Sequence, residues 1–360
     1  MKNVAFGSGP QTPGMKPARL PKRGGSAGLF RGNAFILGLC AAVGLGFLFP
    51  QLGARNGALH PEIVGNGGIA LILFLQGLSI ALDKMRAGAA NWRLHATIQA
   101  FTFVVFPLVG LAFNALMPWI WPGVPRPISE GILYLCVLPS TVSSSVVLTS
   151  MAGGNVAGAL FNAALSNILG VVLTPLFVHL LMAATGQQGQ LGSLLGQILL
   201  LTLVPFAAGM LLRPLVCRWV DAHKLWVNWV SNGVILLIVY TAFCDSVQNR
   251  IWVQFGFGLT FGVLAIVLAL YTIISALVQL ASRWLGFNRE DFIAAYFCSV
   301  KKTLAMGVPL AMLIFGSRSD LSLILLPIMF YHPFQLFVNG ILANRWARNT
   351  ALRLIPTTSD

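Results

Sequence analysis

Long apolar stretches alternate with short polar gaps along almost the whole chain. Ten stretches approach or exceed the roughly 20 mainly apolar residues that a membrane-crossing helix needs. They are 34–49, 65–82, 95–117, 131–149, 156–183, 191–212, 225–244, 252–281, 292–315 and 321–343. Several contain Gly or Pro, which membrane helices tolerate when neighbours satisfy the freed backbone groups. The pattern predicts an all-α integral membrane protein with ten transmembrane helices over 32–348. Ten divides into two sets of five, 34–183 and 191–343. An odd number per set inserts the second set upside down, the inverted-repeat plan of many secondary transporters. The flanks read as a disordered basic tail, 1–31, and a short C-terminal tail, 349–360.

Composition and charge sharpen this picture. The chain of 360 residues is 57% hydrophobic and 9% charged, where a soluble domain carries about a quarter charged residues. Its net charge is +14. Nucleic acid is not the expected partner, because the basic residues sit in the gaps between apolar runs. With the N-terminus inside, seventeen Lys and Arg fall in inner segments and four in outer loops (Arg55, Arg126, Arg250, Arg318). That asymmetry predicts cytoplasmic N- and C-termini. A cleaved leader is not expected, since no small-residue cleavage site follows the first run and Pro50 closes it. The five cysteines show no CxxC spacing and read as small buried apolar side chains.

The informative positions are polar ones inside apolar runs. Lys301 and Lys302 sit side by side in 292–315, which holds no acid. A lysine at a helix centre costs about 2.5–3.5 kcal/mol on insertion scales, so such residues need a partner, a cavity or a ligand. Two roles stay open. The pair can bind backbone carbonyls and lock helices together, or at least one lysine can neutralise an anionic substrate or replace a coupling cation. Pro139 and the cluster Ser140, Thr141, Ser143, Ser144 and Ser145 mark the fourth stretch. Ser299, Thr303, Gly307 and Pro309 mark the ninth, with a break expected near Gly307 and Pro309. Interrupted helices at matching positions of two halves point to a binding site. Thr141, Ser143, Ser144, Ser145, Lys301, Lys302, Thr303, His332 and Gln335 are therefore the candidate site. Gln99, Asn162 and Asn167 are further candidates for its lining. Asn162, Ser166 and Asn167 also suit interhelical hydrogen bonding, and Asn155 reads as a helix N-cap. His332 and Gln335, three apart, share a helix face. No acid lies in the interior of a stretch, which disfavours a carboxylate proton relay and a calcium cage. No metal and no cofactor are expected.

The motifs carry a resemblance. The run Leu138–Ser145, then Gly153-Gly154-Asn155, then Ser166-Asn167-Ile168-Leu169-Gly170, together with Lys301–Ala311 and Tyr331-His332-Pro333-Phe334-Gln335-Leu336, resembles the bile acid:sodium symporter family in its SBF-like branch. The resemblance implies ten helices in two inverted repeats. It also implies a panel domain (spans one, two, six and seven), a core domain (spans three to five and eight to ten), and broken fourth and ninth spans that cross. It implies organic-anion transport with sodium by alternating access, in the plasma membrane, here a bacterial inner membrane. The position of the family's ion-site glutamate falls on Lys302. An ammonium has three donors and no acceptor and cannot ligate sodium. It could take the ion's place, among acceptors including Ser144 and Ser145.

These readings favour a secondary transporter moving a small organic anion, with the lipid bilayer as its surroundings and sodium coupling in question. Two alternatives belong to other classes. One is a non-transporting membrane regulator on the same fold. The other is an intramembrane serine hydrolase, with Ser144 as nucleophile and His332 or a lysine as base.

Overall fold

The computed structural model describes residues 26–54, 57, 61–80, 91–184, 191–250, 253, 258–316 and 318–353. All regular structure among them is helical, and helices occupy all ten predicted stretches. In chain order they are α1 (Ser26–Leu48), α2 (Pro50–Gly53), α3 (Pro61–Ser79), α4 (Trp92–Ala100) and α5 (Phe106–Ile120). There follow α6 (Arg126–Val137), α7 (Val142–Met151), α8 (Val156–Ala184), α9 (Leu191–Ala222) and α10 (Lys224–Gln248). The last four are α11 (Gly258–Trp284), α12 (Arg289–Ser299), α13 (Leu304–Phe315) and α14 (Leu321–Arg353). Among the described residues seven helical segments are long and apolar enough to cross a membrane, and α6 with α7, bent by 60°, make an eighth. Two shorter apolar helices, Ala34–Leu48 and Gly67–Ser79, stand at the first two predicted spans. The chain is a multi-pass membrane protein.

Local chemistry sets several boundaries. Asn91, Asn155 and Asn288 cap α4, α8 and α12 by accepting from Leu94 N, Gly158 N and Asp291 N at 3.2, 2.8 and 2.8 Å. The predicted cap role of Asn155 is therefore observed. The expected basic tail 1–31 ends sooner than read, because α1 already includes Ser26–Arg31; residues 1–25 lie outside the described residues. The last helix continues to Arg353, through the first part of the expected tail 349–360. Both extensions follow from runs free of Pro that offer nothing to stop a helix. Within the third span a single π turn, Phe101–Val105, joins α4 to α5.

α3 lies along α9, and α1 along α10; α6 lies along α14, and α8 packs on α7, α6 and α12. The α3–α9 contact is a backbone contact. A Cβ on Gly77 would run into the Phe206 carbonyl, and one on Gly209 into the Phe74 carbonyl. The α12–α13 segment is the centre of the protein, with 78% of its apolar window buried, the largest share of any candidate span.

Two polar clusters tie the broken helices to their surroundings. Near the start of α12, the Asp291 carboxylate accepts from Asn91 Nδ2 at 2.8 Å and from Asn155 Nδ2 at 2.7 Å. Near the start of α6, Glu130 accepts from Arg318 at 2.5 Å, and Arg318 also holds Asp320 through two bonds of 2.8 Å. Asn155 follows α7 and Arg318 follows α13. Each broken pair therefore ends where the other begins, and the two pairs run antiparallel.

Replacing Gly209 by Val should force α3 and α9 apart at a backbone contact that cannot yield. The expected cost is about 1–3 kcal/mol, read as a lower thermal midpoint of the detergent-purified protein. A midpoint equal to the wild type would show that the two helices do not touch there.

Candidate functional site

The two helix breaks meet. Leu138 precedes a proline, which disfavours helical backbone at Leu138, and it is extended at φ −69°, ψ 149°. Thr141, the residue before α7, is extended too. The second break runs from Val300 to Thr303 and contains neither Gly nor Pro. Gly307 and Pro309, where the sequence suggested the break, lie inside α13. Tertiary partners hold this break instead. Thr303 N donates to Pro139 O across the crossing at 3.0 Å, and the Gln335 side chain acts as a surrogate peptide. Its Oε1 accepts from Lys302 N at 2.8 Å while its Nε2 donates to Lys302 O at 2.7 Å.

Lys302 is fully buried. Its Nζ donates to Leu138 O at 2.7 Å, Cys136 O at 2.9 Å and Thr102 O at 3.0 Å, which uses all three of its protons. It also lies 4.0 Å from the centroid of the Phe106 ring. Each carbonyl is open for a reason written in the chain. Cys136 and Leu138 stand at the end of α6, where Pro139 offers no N–H. Thr102 lies in the π turn, in which Phe106 N reaches Phe101 O. The next bond in that register would run from residue 107 to Thr102 O, and residue 107 is proline. Lys302 fills the place of that missing donor. The acceptors are thus backbone carbonyls, and not Ser144 and Ser145 as the sequence suggested.

The other freed backbone groups are answered in the same way. Thr174 donates to Val137 O at 2.9 Å, and Asn167 to Ser140 O at 2.8 Å; Ser166 Oγ accepts from Ser140 N at 3.0 Å. On the facing break, Ser140 donates to Cys298 O at 2.7 Å, Ser145 to Phe297 O at 3.1 Å, and Tyr331 to Val300 O at 2.6 Å. Tyr134 donates to Gly307 O inside α13 at 2.5 Å. Sequence reasoning overlooked Thr102, Tyr134, Thr174 and Tyr331. Pro139 beside the first break and Pro107 after the π turn were the available signal for Thr174 and Thr102, whereas the break at Val300 that Tyr331 meets contains no proline.

The structure divides the predicted site residues. Thr141 is buried, with Oγ1 2.9 Å from Ser144 Oγ and 3.3 Å from Ser145 Oγ. Ser144 is half-buried and Ser143 exposed. His332 Nδ1 is 3.0 Å from Gln335 Nε2 and 3.4 Å from Lys302 O. The described hydrogen bonds join Ser144 to Thr141 and not to His332 or a lysine. Gln99 and Asn162 belong to a separate tie: Gln99 Nε2 donates to Asn162 Oδ1 at 3.2 Å, and Asn162 Nδ2 is 2.8 Å from His95 Nδ1. Asn167 serves the crossing through Ser140. Lys301 is as deeply buried as its neighbour, yet its Nζ has no hydrogen-bond partner among the described residues.

The comparisons with known proteins agree with this architecture. The model of the SBF-like CPA transporter family matches residues 33–348. The chain is 41% identical over 319 residues to "Uncharacterized protein PA2026" of Pseudomonas aeruginosa, covering 89% of this chain and 94% of that protein. It is 38% identical over 320 residues to "Putative symporter YfeH" of Escherichia coli, covering 88% and 94%. Against the sodium/bile acid cotransporter 7 of Rattus norvegicus the identity is 32% over 319 residues, covering 86% and 90%. The family is one of transporters rather than enzymes. With its match running from the first apolar helix to the end of the last, the chain belongs to the SBF-like CPA transporter family.

Proposed function

We propose that this protein is a secondary active carrier that moves a small organic anion across the plasma membrane by alternating access, without a sodium ion at the helix crossing. In this reading its ten spans form two inverted five-helix repeats with both termini cytoplasmic. The observation that carries the reading is Lys302 on three backbone carbonyls where two broken helices cross. Carbonyl oxygens converging on one point are what a monovalent metal cation would use. The ammonium occupies them as a built-in cation, so the cycle needs no sodium there.

Three further features support it. The broken pairs are antiparallel, as inverted repeats require. Helices α1 and α3 pair with α10 and α9, while α6, α7 and α12 pack with α8 or α14 and α13 meets both groups, a grouping suited to two bodies that rock against each other at α13. The crossing holds two lysines and no carboxylate, which suits a negatively charged cargo. Ser143, exposed, and Ser144, half-buried, are the members of the serine cluster able to meet that cargo. Thr141, Ser145, Thr303, His332 and Gln335 shape the floor behind them.

In proteoliposomes, labelled taurocholate or benzoate should be taken up equally well when external sodium is replaced by N-methylglucamine. Lys302→Met should remove the donor from three buried carbonyls. At about 1 kcal/mol or more per unpaired group, that is about 3 kcal/mol of stability. The variant should melt well below the wild type and lose uptake. Strict sodium dependence in the wild type, with Lys302→Met as stable and active as the parent, would overturn the proposal.

A further inference from the structure

Adjacent lysines meet opposite fates at the second break. Lys302 spends three protons on three carbonyls. Lys301, also 0% exposed, has an Nζ with no hydrogen-bond partner among the described residues, and Ser299 Oγ, two residues earlier, has none either. Holding an unpaired ammonium in a dry interior costs several kcal/mol. The nearby Phe297 and Cys298 carbonyls accept from Ser145 and Ser140, and neither receives a bond from Lys301. The ionisable groups that act on Lys301 electrostatically are the Cys298 thiol and the His332 imidazole, neither of them a carboxylate. Two helix N-termini also lie at the crossing. α7 starts after Thr141 and α13 after Thr303, and neither starting residue caps its helix with a side chain. Their positive ends therefore add to the lysine's field.

We propose that Lys301 Nζ is the binding point for the charged group of an anion, of the carboxylate or sulfonate class, with Ser299 Oγ as a second donor. Helix N-termini alone would make a weak case. A fully buried lysine side chain without a hydrogen-bond partner, three residues before the start of α13, is an independent mark of a missing partner. The proposal rests on the carrier reading only for the statement that the bound anion is cargo; binding itself is testable without transport.

The test is thermal unfolding of the full-length protein in detergent at constant ionic strength. Benzoate and benzenesulfonate should raise the wild-type midpoint by about 2 °C or more at ten times the dissociation constant. The neutral isostere benzamide should not. Lys301→Met should abolish the benzoate shift, and its unliganded midpoint should equal or exceed that of the wild type, because an unpaired buried charge has been removed. Lys301→Arg should keep a shift. A Lys301→Met protein that fails to fold, or that still responds to benzoate, overturns the proposal. So does a wild type indifferent to both anions. Strictly sodium-driven uptake combined with an intact Lys301-dependent benzoate shift would instead sink the sodium-free carrier and leave this site standing.

Discussion

One ammonium group holds three backbone carbonyls from two separate spans. Lys302 reaches the π turn of the third span and two carbonyls at the break of the fourth, while its own main chain is clasped by Gln335 on the last helix. In lipid an unpaired backbone carbonyl costs several kcal/mol. A helix can therefore be broken at depth only if something other than water supplies the donors. Lysine is suited to this, having three donors on a long flexible stem and no acceptor of its own to satisfy.

The rest of the crossing follows from the same constraint. Thr174, Asn167, Ser166, Ser140, Ser145, Tyr134 and Tyr331 each donate to or accept from a backbone group at or beside a break. A network satisfied this fully is rigid, because moving any member strands a buried polar atom. Beyond the crossing, the Asp291–Asn91–Asn155 cluster and the Arg318–Glu130–Asp320 cluster fasten the outer ends of the two first halves. The first halves of both broken spans are thus fixed at each end. On its other side α13 meets α3 and α10, while α3 and α9 are themselves locked backbone to backbone at Gly77 and Gly209.

Hydropathy showed the all-helical membrane architecture, and the proline with its serines located the first break. The second break was misplaced by several residues because Gly307 and Pro309 invite a break that α13 does not make. Its true position at Val300–Thr303 is imposed by Gln335, Tyr331 and Thr303 contacts distant in sequence, which no local propensity encodes. The lysine pair was legible as costly and so as meaningful. Which carbonyls Lys302 would meet was not, although one clue was present: Pro107 withholds a donor from the turn before it. The serine cluster was read as one lining surface. The extended residues before α7 and the first turn of that helix split it into Ser140 and Ser145, which bond the facing break, and Ser143 and Ser144, which do not.

The two lysines also show why a hydrophobic replacement at either site has opposite meanings. A buried charge that is fully hydrogen-bonded stabilises the fold that surrounds it, and removing it strands its acceptors. A buried charge with no partner can only weaken the fold that carries it. Stability alone would have favoured Met or Leu at 301, packed among apolar neighbours. Position 301 instead keeps a lysine whose Nζ has no hydrogen-bond partner among the described residues, and 302, one peptide away, shows that this chain can satisfy a buried lysine. On the anion-site proposal, the cost borne at Lys301 is offset when an anion binds there.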